Sequence, residues 1–151
     1  MRALGVTLAS VLALALAGVS AAIAATHSAA RTATVATAHS GLGRIVVDGR
    51  GRTLYLFEKD RRGHSACSGT CAAYWPPLLT SAKPVAKTGV KASLLGTTRR
   101  ADGTKQVTFA GHPLYFFSGD VRRGETSGEG LHDFGAGWYV LTPSGKKIDR
   151  D

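Results

Sequence analysis

His64, Cys67 and Cys71 fall within a stretch of eight residues, in the pattern His-x2-Cys-x3-Cys. Two such cysteines can close a disulfide, cycle as a dithiol, or offer two thiolates beside one imidazole, a soft donor set that suits copper(I). A tetrahedral zinc site needs more donors than this stretch supplies, and the Cys-x2-Cys-His pattern of covalent haem is missing. In an exported chain the default is a disulfide closing "CSGTC", with Gly69 allowing the bend. Loop-closure entropy for so short a ring gives ~2 kcal/mol of stabilisation. No cofactor is expected on this reading. The alternative is a redox or copper-handling centre at His64, Cys67 and Cys71.

Other chemistry-bearing residues are scattered. Glu58, Asp60, Asp120 and Asp133 all lie at turns, where carboxylates ordinarily accept backbone N–H bonds. His112 sits in a "GHP" turn, His132 in a Gly-rich loop, and His27 and His39 in an Ala/Thr/Ser stretch. Convergence of His112 or His132 with the cysteines would strengthen the metal reading. The chain carries no nucleophile elbow, His-Glu-x-x-His or phosphate loop. No catalytic residue is assigned, and the expectation is a protein without enzymatic activity. Trp75 and Trp138 are expected as core plugs, with a sugar-stacking platform as the functional alternative.

Sequence repetition organises these residues. "TLYLFEKD" at 53–60 returns as "PLYFFSGD" at 113–120, and at the same offset Val47, Gly51 and Arg62 match Val107, Gly111 and Arg122. Tyr55, Phe57 and Asp60 thus answer to Tyr115, Phe117 and Asp120. Repetition of this kind marks one supersecondary unit used twice. Within each unit the Tyr and Phe share one face of a strand and bury large area together. Each Asp stands where the strand ends and can fix the exit turn, and a buried Tyr hydroxyl could be satisfied by the Asp of either copy. The alternative places the Tyr–Asp pairs in a ligand cleft between the halves.

The elements that must position these residues are mostly strands. "RIVVD" (44–48), the turn "DGRG" and "RTLYLFEK" (52–59) read as a hairpin. Leu54 and Leu56 point opposite to Tyr55 and Phe57, so this strand is apolar on both faces and predicted to be covered on both. A single helical turn is predicted near 71–75, stopped by Pro76 and Pro77. A short strand follows near 94–98, then "TKQVTFA" with Val107 and Phe109 on one face, a Gly111-His112 turn and "PLYFFS" as its partner. A Gly-rich loop at 119–137 leads to a last hairpin, "WYVLT", "PSG" and "KKI". The predicted fold class is all-β or mostly β: two related hairpin-based repeats, about 44–79 and 102–148, packed as one small domain spanning 41–151.

The stretches "YLFEKD" (55–60), "CSGTCAAYWPP" (67–77), "DGTKQVTFAGHPLYFFSGD" (102–120) and "FGAGWYVLTPSG" (134–145) resemble the bacterial family of secreted repeats and lipoproteins with a Tyr-x-aromatic-x-x-Asp motif, whose function is unknown. The resemblance implies an envelope or secreted protein with two copies of the repeat, and no particular activity.

Residues 1–24 combine one early cation, Arg2, with an uncharged apolar run, and "AAIAAT" offers a cleavage point after Ala24. This reads as a signal peptide, with an uncleaved anchor as its rival. No Cys stands in the first thirty residues, so a lipid-attachment cysteine is not expected there. Residues 25–40 read as a flexible tether, since their composition offers little apolar area against the entropy of ordering. The formal net charge of the chain is +9, spread along its length. Such a field attracts anionic envelope polymers or a membrane surface, whereas export argues against nucleic acid. The expected role is a secreted, monomeric, non-catalytic binding or interaction module for anionic or glycan envelope components. A structural envelope protein without a specific ligand is the remaining alternative.

Overall fold

The computed structural model describes residues 31–61 and 63–149. The predicted leader over residues 1–24 lies outside them. Nine strands and two short helical turns follow in order: β1 (Thr34–Ser40), β2 (Gly43–Asp48), β3 (Tyr55–Phe57), α1 (Thr70–Tyr74), β4 (Val85–Ala86), a 3-10 turn (Ala92–Leu94), β5 (Leu95–Arg99), β6 (Lys105–Phe109), β7 (His112–Pro113), β8 (His132–Asp133) and β9 (Ala136–Val140). They form three small sheets, ordered β2-β1-β4, β3-β9-β8 and β5-β6-β7. The expected fold class is therefore present, as is the helical turn expected near 71–75, and the 3-10 turn at Ala92–Leu94 adds a second.

Alternation along the strands splits the interior in two. Val46, Leu54, Leu56, Val107 and Leu114 enter one apolar cluster with Phe109 and Leu141. Ile45, Val47, Tyr55, Phe57 and Tyr115 enter a second with both cysteines and both tryptophans. The period of two sends neighbouring side chains to opposite faces, so β3 is buried on both, as its sequence predicts.

One expectation requires correction, and a second holds only in part. The tether over 25–40 does not extend through its last residues, because Thr34–Ser40 is strand β1. It pairs antiparallel with β2 from Val35↔Asp48 to Ser40↔Gly43, and parallel with β4. Val35 is fully buried, and Ala33 donates its backbone N–H to Thr80 Oγ1 at 3.2 Å. The folded part thus begins before Gly41. Ala and Thr suffice for a strand here because partners distant in sequence cover it. The hairpin expected between 44–48 and 52–59 is present but short: Asp48 N–H donates to Arg52 O at 2.8 Å and Leu54 N–H to Val46 O at 3.2 Å, on either side of a bridge at Val47↔Thr53. Beyond Leu54 the two segments part, because β3 lies between β9 and Tyr115.

The β8–β9 hairpin turns through Phe134 and Gly135, with Asp133 opposite Ala136. Both loop residues have positive φ, 56° and 89°. A two-residue turn with that pattern is type I′ and favours Asn-Gly. A bulky side chain in the left-handed region costs roughly 1–2 kcal/mol.

Cys67 and Cys71 are joined in a disulfide. Both sulfur-bearing residues are buried, and the second lies inside α1, a helix of five residues that would be marginal alone. Replacing both cysteines with serine is expected to lower the melting temperature by roughly 5–15 °C, the shift that ~2 kcal/mol produces in a domain of this size. Calorimetry of the two proteins, with and without reductant, checks this; an unchanged melting temperature would show that the cross-link adds no stability.

Candidate functional site

The repeated motif residues meet at the junction between the two halves. Tyr55 N–H donates to Tyr115 O at 2.8 Å, and Tyr115 N–H donates to Tyr55 O at 3.0 Å. The side chains then cross. Tyr55 Oη donates to Asp120 Oδ2 at 2.6 Å, and Tyr115 Oη lies 2.9 Å from Asp60 Oδ2. Each aspartate also receives a backbone N–H from its own exit loop, Ala66 to Asp60 at 2.7 Å and Ser127 to Asp120 at 2.9 Å. The arrangement is reciprocal: each repeat's tyrosine is satisfied by the other's aspartate.

The aromatic rings repeat the exchange. Phe57 stacks on Trp138 at 3.9 Å, Trp138 on Trp75 at 4.0 Å, and Trp75 packs on Phe117 at 4.4 Å. Tyr55 and Tyr115 meet Trp75 and Trp138 edge-on, at 5.3 and 5.1 Å. Trp75 and Trp138 have no exposed surface. The sugar-stacking platform considered for them is therefore not formed, because each ring's faces are taken by other rings. Truncating a buried Phe or Trp to Ala costs about 3–5 kcal/mol, which makes this column a major part of the core.

Burial sets the electrostatics of the clasp. Desolvation, followed by the hydrogen bond to Asp120, raises the Tyr55 hydroxyl above its ordinary pKa. Desolvation and the Asp60 charge raise Tyr115 likewise, so both phenols stay protonated donors. Burial also lifts the Asp60 carboxyl to about 6, against the opposing effects of Ala66 N–H, Tyr115 and Arg100. Arg100 ties this corner to the disulfide: it donates to Ser65 Oγ at 2.9 Å, Gln106 Oε1 at 2.7 Å and Cys67 O at 2.7 Å. Ser65 Oγ in turn lies 2.7 Å from Tyr115 Oη.

Beside Asp60 a cleft of about 350 Å³ is lined by Phe57, Glu58, Arg61, His112 and Lys147 among others. Lys147 bonds Glu58 at 3.0 Å and Asp149 at 2.6 Å, and these partners raise its pKa. Burial pushes His112 below the usual imidazole value. His64 stands 3.5 Å from Thr98 Oγ1, and His132 opens β8. Among the described residues no group of three or more His, Cys, Asp or Glu is arranged to hold a metal ion.

Two surface features were not singled out from the sequence. Gly124 N–H donates to Gly51 O at 3.1 Å, which joins the 49–52 turn to the 121–125 loop. Arg50 and Arg52 lie on the first of these loops and Arg122 and Arg123 on the second, all exposed. Arg52 pairs with Asp48 at 2.8 Å and Arg122 with Glu125 at 3.7 Å, while among the described residues Arg50 and Arg123 have no carboxylate partner. Elsewhere Tyr74 and Phe134, which belong to no repeated motif, lie exposed side by side. The doubled "RR" before Gly was the one signal that could have pointed to the arginine face.

Asp60 makes a pH test available. Its folded pKa exceeds the ordinary carboxylate value, so the native state binds more protons between about pH 4 and 6. Its ionisation therefore costs stability as pH rises through that window, by about 2 kcal/mol at most. Asp60→Asn is expected to remove this fall: the melting-temperature gap between variant and parent should shift in the variant's favour from pH 4 to 7. Parallel curves would show that Asp60 is not titrating in that range.

Among the described residues no helix is long and apolar enough to cross a membrane. Searches of curated proteins and of solved structures found no match. A family described as a secreted repeat of unknown function matches twice, over residues 36–79 and 96–142, which takes in both halves of the clasp. The chain, with its two motif copies locked across one junction, belongs to this family of secreted repeats of unknown function.

Proposed function

We propose that this secreted protein is a non-catalytic binding module for anionic polymers of the cell envelope, and that the arginine face is its binding surface. The observation that carries the reading is the Gly51–Gly124 hydrogen bond, which joins two loops that each carry two exposed arginines. Arg52 is held by Asp48 and lies over the Phe116 ring, and Arg122 lies 3.7 Å from Glu125. Arg123 also lays its stem against Gly51, whose φ is +83°. Guanidinium groups present planar forks that match phosphate and carboxylate oxygens. Arg50 and Arg123, which have no carboxylate partner among the described residues, supply such forks, and the net charge of +9 draws anionic chains toward the surface.

Retention on immobilised poly(glycerol phosphate) and polygalacturonate tests the proposal. The protein is expected to bind at low salt and elute as the Debye length shortens. Arg50→Ala/Arg123→Ala should elute at clearly lower salt, whereas Lys83→Ala/Lys91→Ala, which removes the same charge elsewhere, should elute close to the parent. Equal shifts for both double variants would reduce the effect to net charge and contradict a dedicated face.

A further inference from the structure

Tyr74 and Phe134 are among the few large apolar side chains left exposed, at 56% and 39%. Their ring centroids lie 6.2 Å apart, with the planes at 44°. Each is held in place by its backbone. Tyr74 ends α1, beside the disulfide, and its carbonyl accepts Ser118 N–H at 2.9 Å. Phe134 occupies the first loop position of the β8–β9 turn, at φ 56°, and its carbonyl accepts Lys59 Nζ at 3.2 Å.

Folding gives no reason for a phenylalanine at that position. Asn is the residue the turn favours, and Phe134 keeps 39% of its surface exposed and enters neither apolar cluster. A disfavoured backbone that displays an aromatic ring beside a second exposed ring and a lysine is what a ligand surface requires. We propose that Tyr74 and Phe134 form a stacking platform for the pyranose rings of an acidic glycan, with Lys59 at its edge to meet the acidic substituent. The C–H face of a pyranose covers an aromatic ring well, and a cation beside the rings selects glycans that carry carboxylates. This site extends the proposed envelope-binding role to a second surface and stands without the arginine face.

The test is a titration of the purified protein with a tetrasaccharide that alternates N-acetylglucosamine and glucuronate, followed by amide chemical shifts. Phe134→Asn, Tyr74→Ala and Arg50→Ala/Arg123→Ala serve as variants. The expected result is saturable shifts centred on Tyr74, Phe134 and Gly135. Binding should be about tenfold weaker in Phe134→Asn and in Tyr74→Ala, and unchanged in the arginine variant. Phe134→Asn should melt at or above the parent temperature, since Asn-Gly suits the turn, so its loss of binding would not reflect misfolding. Absence of saturable shifts in the parent, shifts centred on the arginine face, or unchanged affinity in Phe134→Asn would overturn the proposal. Failure of polymer retention with these shifts intact would remove the arginine reading alone.

Discussion

Two tyrosine hydroxyls buried at the junction of the repeats need partners, and each takes its carboxylate from the other repeat. An unsatisfied buried hydroxyl would cost about 1–3 kcal/mol, while a hydrogen bond to a charged acceptor contributes about 1.5–3 kcal/mol. Tyr55 to Asp120 and Tyr115 to Asp60 therefore make the halves interdependent. The tryptophan column imposes the same condition, since Phe57 stacks on the second repeat's Trp138 and Phe117 packs on the first repeat's Trp75. Neither half pairs its own tyrosine with its own aspartate, and each half's tryptophan has both faces covered by rings of the other.

That dependence explains what the sequence made legible. Repetition at a fixed offset identified Tyr55, Phe57, Asp60 and their counterparts, and alternation placed them on a buried face. The cysteine spacing indicated the disulfide. Crossing was invisible, because an offset relates equivalent residues without saying which copies touch. Trp75 and Trp138 posed a lesser difficulty: type and flanks favour core plugs over a ligand platform, and both rings are stacked and fully buried. Strand β1 escaped for another reason. "TVATAHS" has little apolar content, and its order comes from β2 and from the distant residues Val85 and Ala86. Composition reports local tendency and is blind to such covering partners.

The two repeats differ most between the motif aspartate and the tryptophan. The first places there a disulfide and α1, the second a long loop and the β8–β9 hairpin. Tyr74 and Phe134 come from these unlike segments and meet at the surface. The arginine face likewise draws on a turn of one repeat and a loop of the other. Shared residues thus build the core, and the segments between motif aspartate and tryptophan, which differ between the repeats, supply the exposed pair Tyr74 and Phe134. This division is the usual one for domains in which loops carry function on a rigid frame.

The central claim is that the tyrosine–aspartate pairing runs between repeats, and a pair of double-mutant cycles tests it most directly. Unfolding free energies would be measured for Tyr55→Phe combined with Asp120→Ala, and for Tyr55→Phe combined with Asp60→Ala. The crossed pair is expected to show a coupling energy of about 1 kcal/mol or more, and the pair within one repeat a coupling near zero. Stronger coupling within the repeat than across it would contradict the account.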